Sequence, residues 1–207
     1  MIQVFLTSSV LALSAGAAQA SCPVAGDLSR GIALHTSGAA PGYVDIYYGA
    51  APGIVSFFAV EDGRVTYQET DAHGLYILTS LDLYDGPLNT DSYTYPGGLA
   101  ELPKPAPGVD WSATVRRSAN GETSTARHSY AFADPTALAI GACTYAAIPA
   151  DVRVDGDDGP ISHAIMYYLP ELEISVLYAT DIEGEMNVIF QSDRIGYADE
   201  LAARPGR

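Results

Sequence analysis

Three features of this 207-residue chain predict an all-β fold, a single curled antiparallel sheet that forms a half-barrel or barrel-like meander. From Ser21 onward the apolar residues recur with the short period of strands. Gly, Asp-Gly or Asn-Gly breaks the pattern at intervals of about ten residues, as in an antiparallel meander. Only Tyr197 to Arg204 has even weak helical spacing.

Taken in order, Gly31 to Thr36, Tyr43 to Gly49 and Gly53 to Glu61 read as the first three strands. Arg64 to Asp71 follows Asp62-Gly63, a pair that accepts the positive φ angles of a two-residue type I′ turn. Leu75 to Tyr84 is the fifth. Between residues 85 and 108 the alternation fails, because Pro87, Pro96, Pro103, Pro105, Pro107 and Gly97-Gly98 deny regular hydrogen bonding, and a long surface loop is expected. Trp111 to Arg117 resumes the pattern, and Asn120-Gly121 reverses it into Glu122 to Ala133. Thr136 to Cys143, Thr144 to Val154, Ser162 to Leu169, Glu173 to Asp181 and Glu185 to Ser192 complete roughly eleven or twelve strands.

Several strands are apolar on both faces. Ile54, Phe58 and Val60 share one face of the third strand, and Val55, Phe57 and Ala59 the other; Leu75 to Leu78 and Ala164 to Leu169 behave alike. A strand buried on both sides needs cover on both sides, and helices are lacking to supply it. The sheet is therefore expected to curl on itself, to fold into a sandwich, or to hold something apolar in its concavity. Phe57, Phe58, Tyr76, Tyr167 and Tyr168 are the residues expected to line such a ligand site. The chain has fourteen tyrosines against one tryptophan. Such rings line pockets, and they equally suit half-buried strands.

The compartment is read from the first residues. Val4 to Leu6 and Val10 to Leu13 form a short apolar run, and Ala18-Gln19-Ala20 is an A-x-A site, so residues 1–20 read as a signal peptide cleaved near Ala20. The run is shorter than the ~20 residues a membrane span needs. A periplasmic or secreted protein, one domain over residues 21–207, is expected, without stable membrane insertion. In an oxidising compartment Cys22 and Cys143, the only cysteines, are expected to pair. Lipidation of Cys22 is the alternative, and Gln19-Ala20-Ser21 lacks the aliphatic residue of a usual lipobox.

The formal net charge is −15, and Lys104 is the only lysine. Nucleic-acid binding is therefore excluded as an expectation, and attraction to an anionic membrane is disfavoured. Catalytic signatures are missing, among them G-x-S-x-G, H-E-x-x-H, the phosphate loop and S-x-x-K. His35, His73, His128 and His163 stand singly. Asp155, Asp157 and Asp158 lack the later ligands of an EF-hand loop and read as a solvated hairpin turn. No catalytic residue, metal ligand or cofactor is assigned.

Ile140-Gly141-Ala142-Cys143-Thr144-Tyr145 and Tyr168-Leu169-Pro170-Glu171-Leu172 carry a resemblance. The chain resembles uncharacterised secreted proteobacterial families with a G-x-C-x-Y strand and a Y-x-P-E-L-G hairpin, which are similar to the antiparallel half-barrels of periplasmic lipoprotein carriers. The resemblance implies a sheet curved around an apolar concavity able to take an acyl chain or hydrophobic peptide segment. Glu173 stands where that hairpin has glycine, so the bend is expected to rest on Pro170. The expected function is a non-enzymatic envelope protein that binds a lipid, acyl chain or protein partner in the concave face. The alternatives are a hydrolase whose site assembles only in space and a purely structural β-scaffold.

Overall fold

The computed structural model describes residues 21–36, 42–84, 89–157, 159–189 and 192–202. The signal segment and the A-x-A site lie outside the described residues. A 3-10 helix, Ala25–Ser29, precedes fourteen strands: β1 Ile32–Thr36, β2 Val44–Ala51, β3 Ile54–Glu61, β4 Arg64–Ala72, β5 Tyr76–Asp82, β6 Asn89–Thr94, β7 Asp110–Ala119, β8 Glu122–Phe132, β9 Thr136–Ile140, β10 Cys143–Gly156, β11 Gly159–Leu169, β12 Ile174–Ile182, β13 Glu185–Val188 and β14 Ser192–Tyr197. A short helix, α1 Ala198–Ala202, follows.

The strands form one antiparallel sheet in the order β13-β12-β11-β10-β8-β7-β6-β5-β4-β3-β2-β1-β14, with β9 added on β10. The sheet is not closed by hydrogen bonds. Positive φ angles at Asp62-Gly63 and Asn120-Gly121 make the two expected hairpin reversals, with Asp62 at 48° and Asn120 at 50°. These left-handed residues give the turn the same twist as its strands.

Three expectations need correction. Residues 89–94 are β6 and bridge β5 to β7, so the expected 85–108 loop contains a strand. Pro87 and Pro96 lie outside it, which leaves the intervening amides free to pair. The last strand is two: Glu185–Val188 ends at one edge, while Ser192–Tyr197 crosses to pair with β1 at the other. The bend at Leu172 does not rest on Pro170 alone, because Glu173 itself adopts φ 56° and donates its N–H to the Leu169 carbonyl at 2.9 Å.

Register shows how the open sheet buries its surfaces. Tyr47 faces Phe57, Phe57 faces Glu69, Glu69 faces Ser80 and Ser80 faces Asp91, so these share one face. The same face continues through Val115, Tyr130, Val152 and Met166 to Tyr168. Yet Tyr47, Val55 and Phe57 pack in one cluster with Leu169, Ile174, Val176 and Tyr167, which lie on the opposite face. The sheet therefore overlaps itself like a scroll, with β11 and β12 inside the turn made by β1 to β3. The Tyr47 hydroxyl spans the overlap and donates to the Ser175 carbonyl at 3.2 Å. This overlap explains the two-sided apolar run Ala164 to Leu169. Its second face, with Tyr168 and Met166, joins a separate cluster around Tyr76, Tyr95, Tyr130 and Phe132.

The N-terminus locks the scroll. Cys22 is bonded to Cys143, with Cα atoms 5.7 Å apart and 121 residues between them in sequence. Tyr145 donates to the Pro23 carbonyl at 3.1 Å, and the Ala25 N–H donates to Glu171 at 2.7 Å. Gly141 must lack a side chain, since a Cβ would stand 2.8 Å from the Asp193 carbonyl oxygen. No helix among the described residues is long and apolar enough to cross a membrane.

Candidate functional site on the concave face

The tyrosine and phenylalanine residues expected to bind a ligand do not converge. Tyr76 is wholly buried at the centre of an aromatic group, 4.7 Å from Tyr130, 5.6 Å from Trp111 and 6.1 Å from Tyr95 between ring centroids. Its hydroxyl donates to the Pro103 carbonyl at 3.0 Å, so that end is also satisfied. Tyr168 is buried in the same cluster. Tyr167 lies on the other face and stacks on Tyr178 at 4.2 Å. Phe58 faces outward against Tyr48, 6.1 Å away. Of the five, Phe57 alone borders an accessible part of the concave face.

Phe57 stands between Tyr47 and Tyr67, at 5.1 Å and 6.2 Å. Around these three rings the alternation of β2 and β4 brings three carboxylates to the same side: Asp45 from β2, and Glu69 and Asp71 two residues apart on β4. Tyr43, Asp45, Phe57, Tyr67, Glu69 and Tyr93 are half-buried and form a rim. Tyr47, Asp71, Ser80, Tyr95, His128 and Tyr130 are buried beneath it.

The carboxylates are poorly compensated. Tyr43 hydrogen-bonds Asp45 and Tyr67 donates to Glu69. The Oδ1 atoms of Asp45 and Asp71 are nevertheless buried without a hydrogen-bond partner among the described residues. None of the three joins an ion pair among those residues. Arg117, on the same face, is committed to Asp91 at 2.7 Å. Taking a carboxylate out of water without a partner disfavours its charged form. Burial accordingly lifts Asp45 from 3.8 to about 6 and raises Glu69. Asp71 is raised well above the usual range by burial first and by the neighbouring Glu69 second. Burial also raises the hydroxyls of Tyr47 and Tyr67, helped by the nearby acids. His128 is lowered by burial, and its Nδ1 is unpartnered.

Among the described residues no group of three or more His, Cys, Asp and Glu is arranged to hold a metal ion. The three acids are spread over two strands with rings between them. That spacing suits a group larger than a bare cation.

Two histidines do meet carboxylates elsewhere. His163 Nε2 is 3.1 Å from Asp151, and His35 Nδ1 is 3.2 Å from Asp193. Asp151 is also held by Arg153 at 2.9 Å, which keeps its carboxyl below the usual range, so the group is a small outer-face ion cluster. Neither ring hydrogen-bonds a serine or threonine hydroxyl among the described residues.

Sequence reading missed Asp45, Glu69 and Asp71. Tyr67-Gln68-Glu69-Thr70-Asp71 does place one aromatic ring and two acids on one face, but Gln68 and Thr70 make the other face polar too. Polarity on both sides removes the contrast that marks a buried face. The chain matches no protein-family model, no curated protein and no solved structure.

Proposed function

We propose that the protein is a non-enzymatic extracytoplasmic binding protein whose concave face takes a small ligand with an apolar body and a polar head. One observation carries the reading. The Oδ1 atoms of Asp45 and Asp71 are buried beside aromatic rings with no hydrogen-bond partner among the described residues, an arrangement that a fold built only for stability would replace with apolar side chains. Unsatisfied buried polar groups concentrate where something else completes them.

The curled sheet is the architecture implied by the resemblance to lipoprotein carriers. The Tyr76 cluster is closed, whereas Tyr43, Asp45, Phe57, Tyr67, Glu69 and Tyr93 are only half-buried. The disulfide supports an extracytoplasmic setting, where such bonds persist. Native mass spectrometry of protein recovered from its own compartment tests the proposal. A retained small molecule, or uptake of an acyl probe, is expected. A clean apo mass with no uptake of any amphiphile would overturn it in favour of a self-filled scaffold.

A further inference from the structure

We infer that the head of the ligand is an organic cation, an alkylated or primary ammonium group, held by Glu69 and Asp71 against the rings of Phe57 and Tyr67. This inference rests on the concave-face reading above and names the chemical class of its ligand.

Charge sign comes first. Glu69 and Asp71 stand two residues apart on one face of β4, and neither is ion-paired among the described residues. The nearby Arg117 is already engaged with Asp91 through Nε at 3.0 Å and Nη2 at 2.7 Å. Asp71 is 6% exposed, and its Oδ1 has no hydrogen-bond partner among the described residues. A bound ammonium would supply both the missing charge and the missing donor.

Size and surface come next. No set of three metal-ligating side chains is close enough to form a metal shell among the described residues, so a compact inorganic ion does not fit the spacing. Aromatic rings flank the pair: Phe57 faces Glu69 across the strands and lies 6.2 Å from Tyr67. Ring faces attract a cation within about 6 Å, and alkylated ammonium groups use this most because they shed water easily. The net charge of −15 adds a long-range field that draws cations and repels anions. A neutral polyol head could donate to the same oxygens but would leave the charge uncompensated.

The test uses the mature protein near neutral pH and three probes built on eight-carbon chains: octyltrimethylammonium, octanoate and 1-octanol. Binding is read by calorimetry. Octyltrimethylammonium is expected to bind more tightly than both others by about tenfold or more. Asp71→Asn should weaken it by about tenfold, while Arg153→Ala on the outer face should leave it unchanged. Circular dichroism of each variant confirms that the fold persists. If the three probes bind equally, or octanoate binds best, the cationic head is overturned and the concave-face reading stands. If none binds, both fall.

Discussion

The scroll overlap and the tyrosine–carboxylate face share strands β2 and β3, yet they follow opposite rules. In the overlap, Ile32, Leu34, Ile140, Leu169, Leu172 and Ile174 are essentially inaccessible, and the hydroxyls of Tyr47 and Tyr145 are bonded to backbone carbonyls. A few residues away on the same face, Asp45 and Asp71 bury oxygens with no partner. A protein can leave such groups uncompensated only where surplus stability exists nearby. The overlap supplies stability and the acid face spends some of it, which is the physical pattern of a binding site set beside a rigid support.

Breaking the overlap should have the largest effect. Leu169→Ala removes a wholly buried side chain between two layers, and a loss of about 2–5 kcal/mol is expected from chemical denaturation. Removing the Cys22–Cys143 bond frees a long loop in the unfolded chain and should lower stability by about 2–4 kcal/mol, read from the same curves under reducing conditions.

The acid face should respond with the opposite sign. Asp45 has a folded-state pKa of about 6 against 3.8 for the free side chain. A raised carboxyl contributes most to stability below 3.8, and that contribution is lost as pH rises through about 6. Asp45→Asn should therefore stabilise the protein near neutral pH by on the order of 1–2 kcal/mol, a figure discounted for the solvent that reaches this half-exposed side chain. The gain should vanish in acid. Thermal melts across that window check both sign and midpoint. The smallest effect belongs to Arg153→Ala, an exposed partner of Asp151, which should leave the melting temperature within scatter.

The sequence carried the fold further than the site. Asp62-Gly63 and Asn120-Gly121 marked their hairpins because few dipeptides accept two consecutive left-handed residues. β6 was hidden because Asn-Thr-Asp-Ser-Tyr-Thr has little strand propensity and earns its place only by filling the gap between β5 and β7. β14 was hidden because its partner, β1, lies at the far end of the chain, a distance that local patterning cannot span. The two-sided apolar strands announced overlap without saying which faces would meet. The site failed for a related reason: Asp45 and Asp71 come from different strands, and only register shows that Ala59 and Val55 of β3 seat them on one face.

The central claim is that the concave carboxylates weaken the fold and are kept for a ligand. The melting temperature of Asp71→Asn without ligand tests it most directly. Near neutral pH the variant should melt roughly 3–8 °C above the parent, and the difference should fade below the ordinary carboxyl value of 3.8. A variant that melts lower than the parent at neutral pH would show that Asp71 supports the fold and would contradict the account.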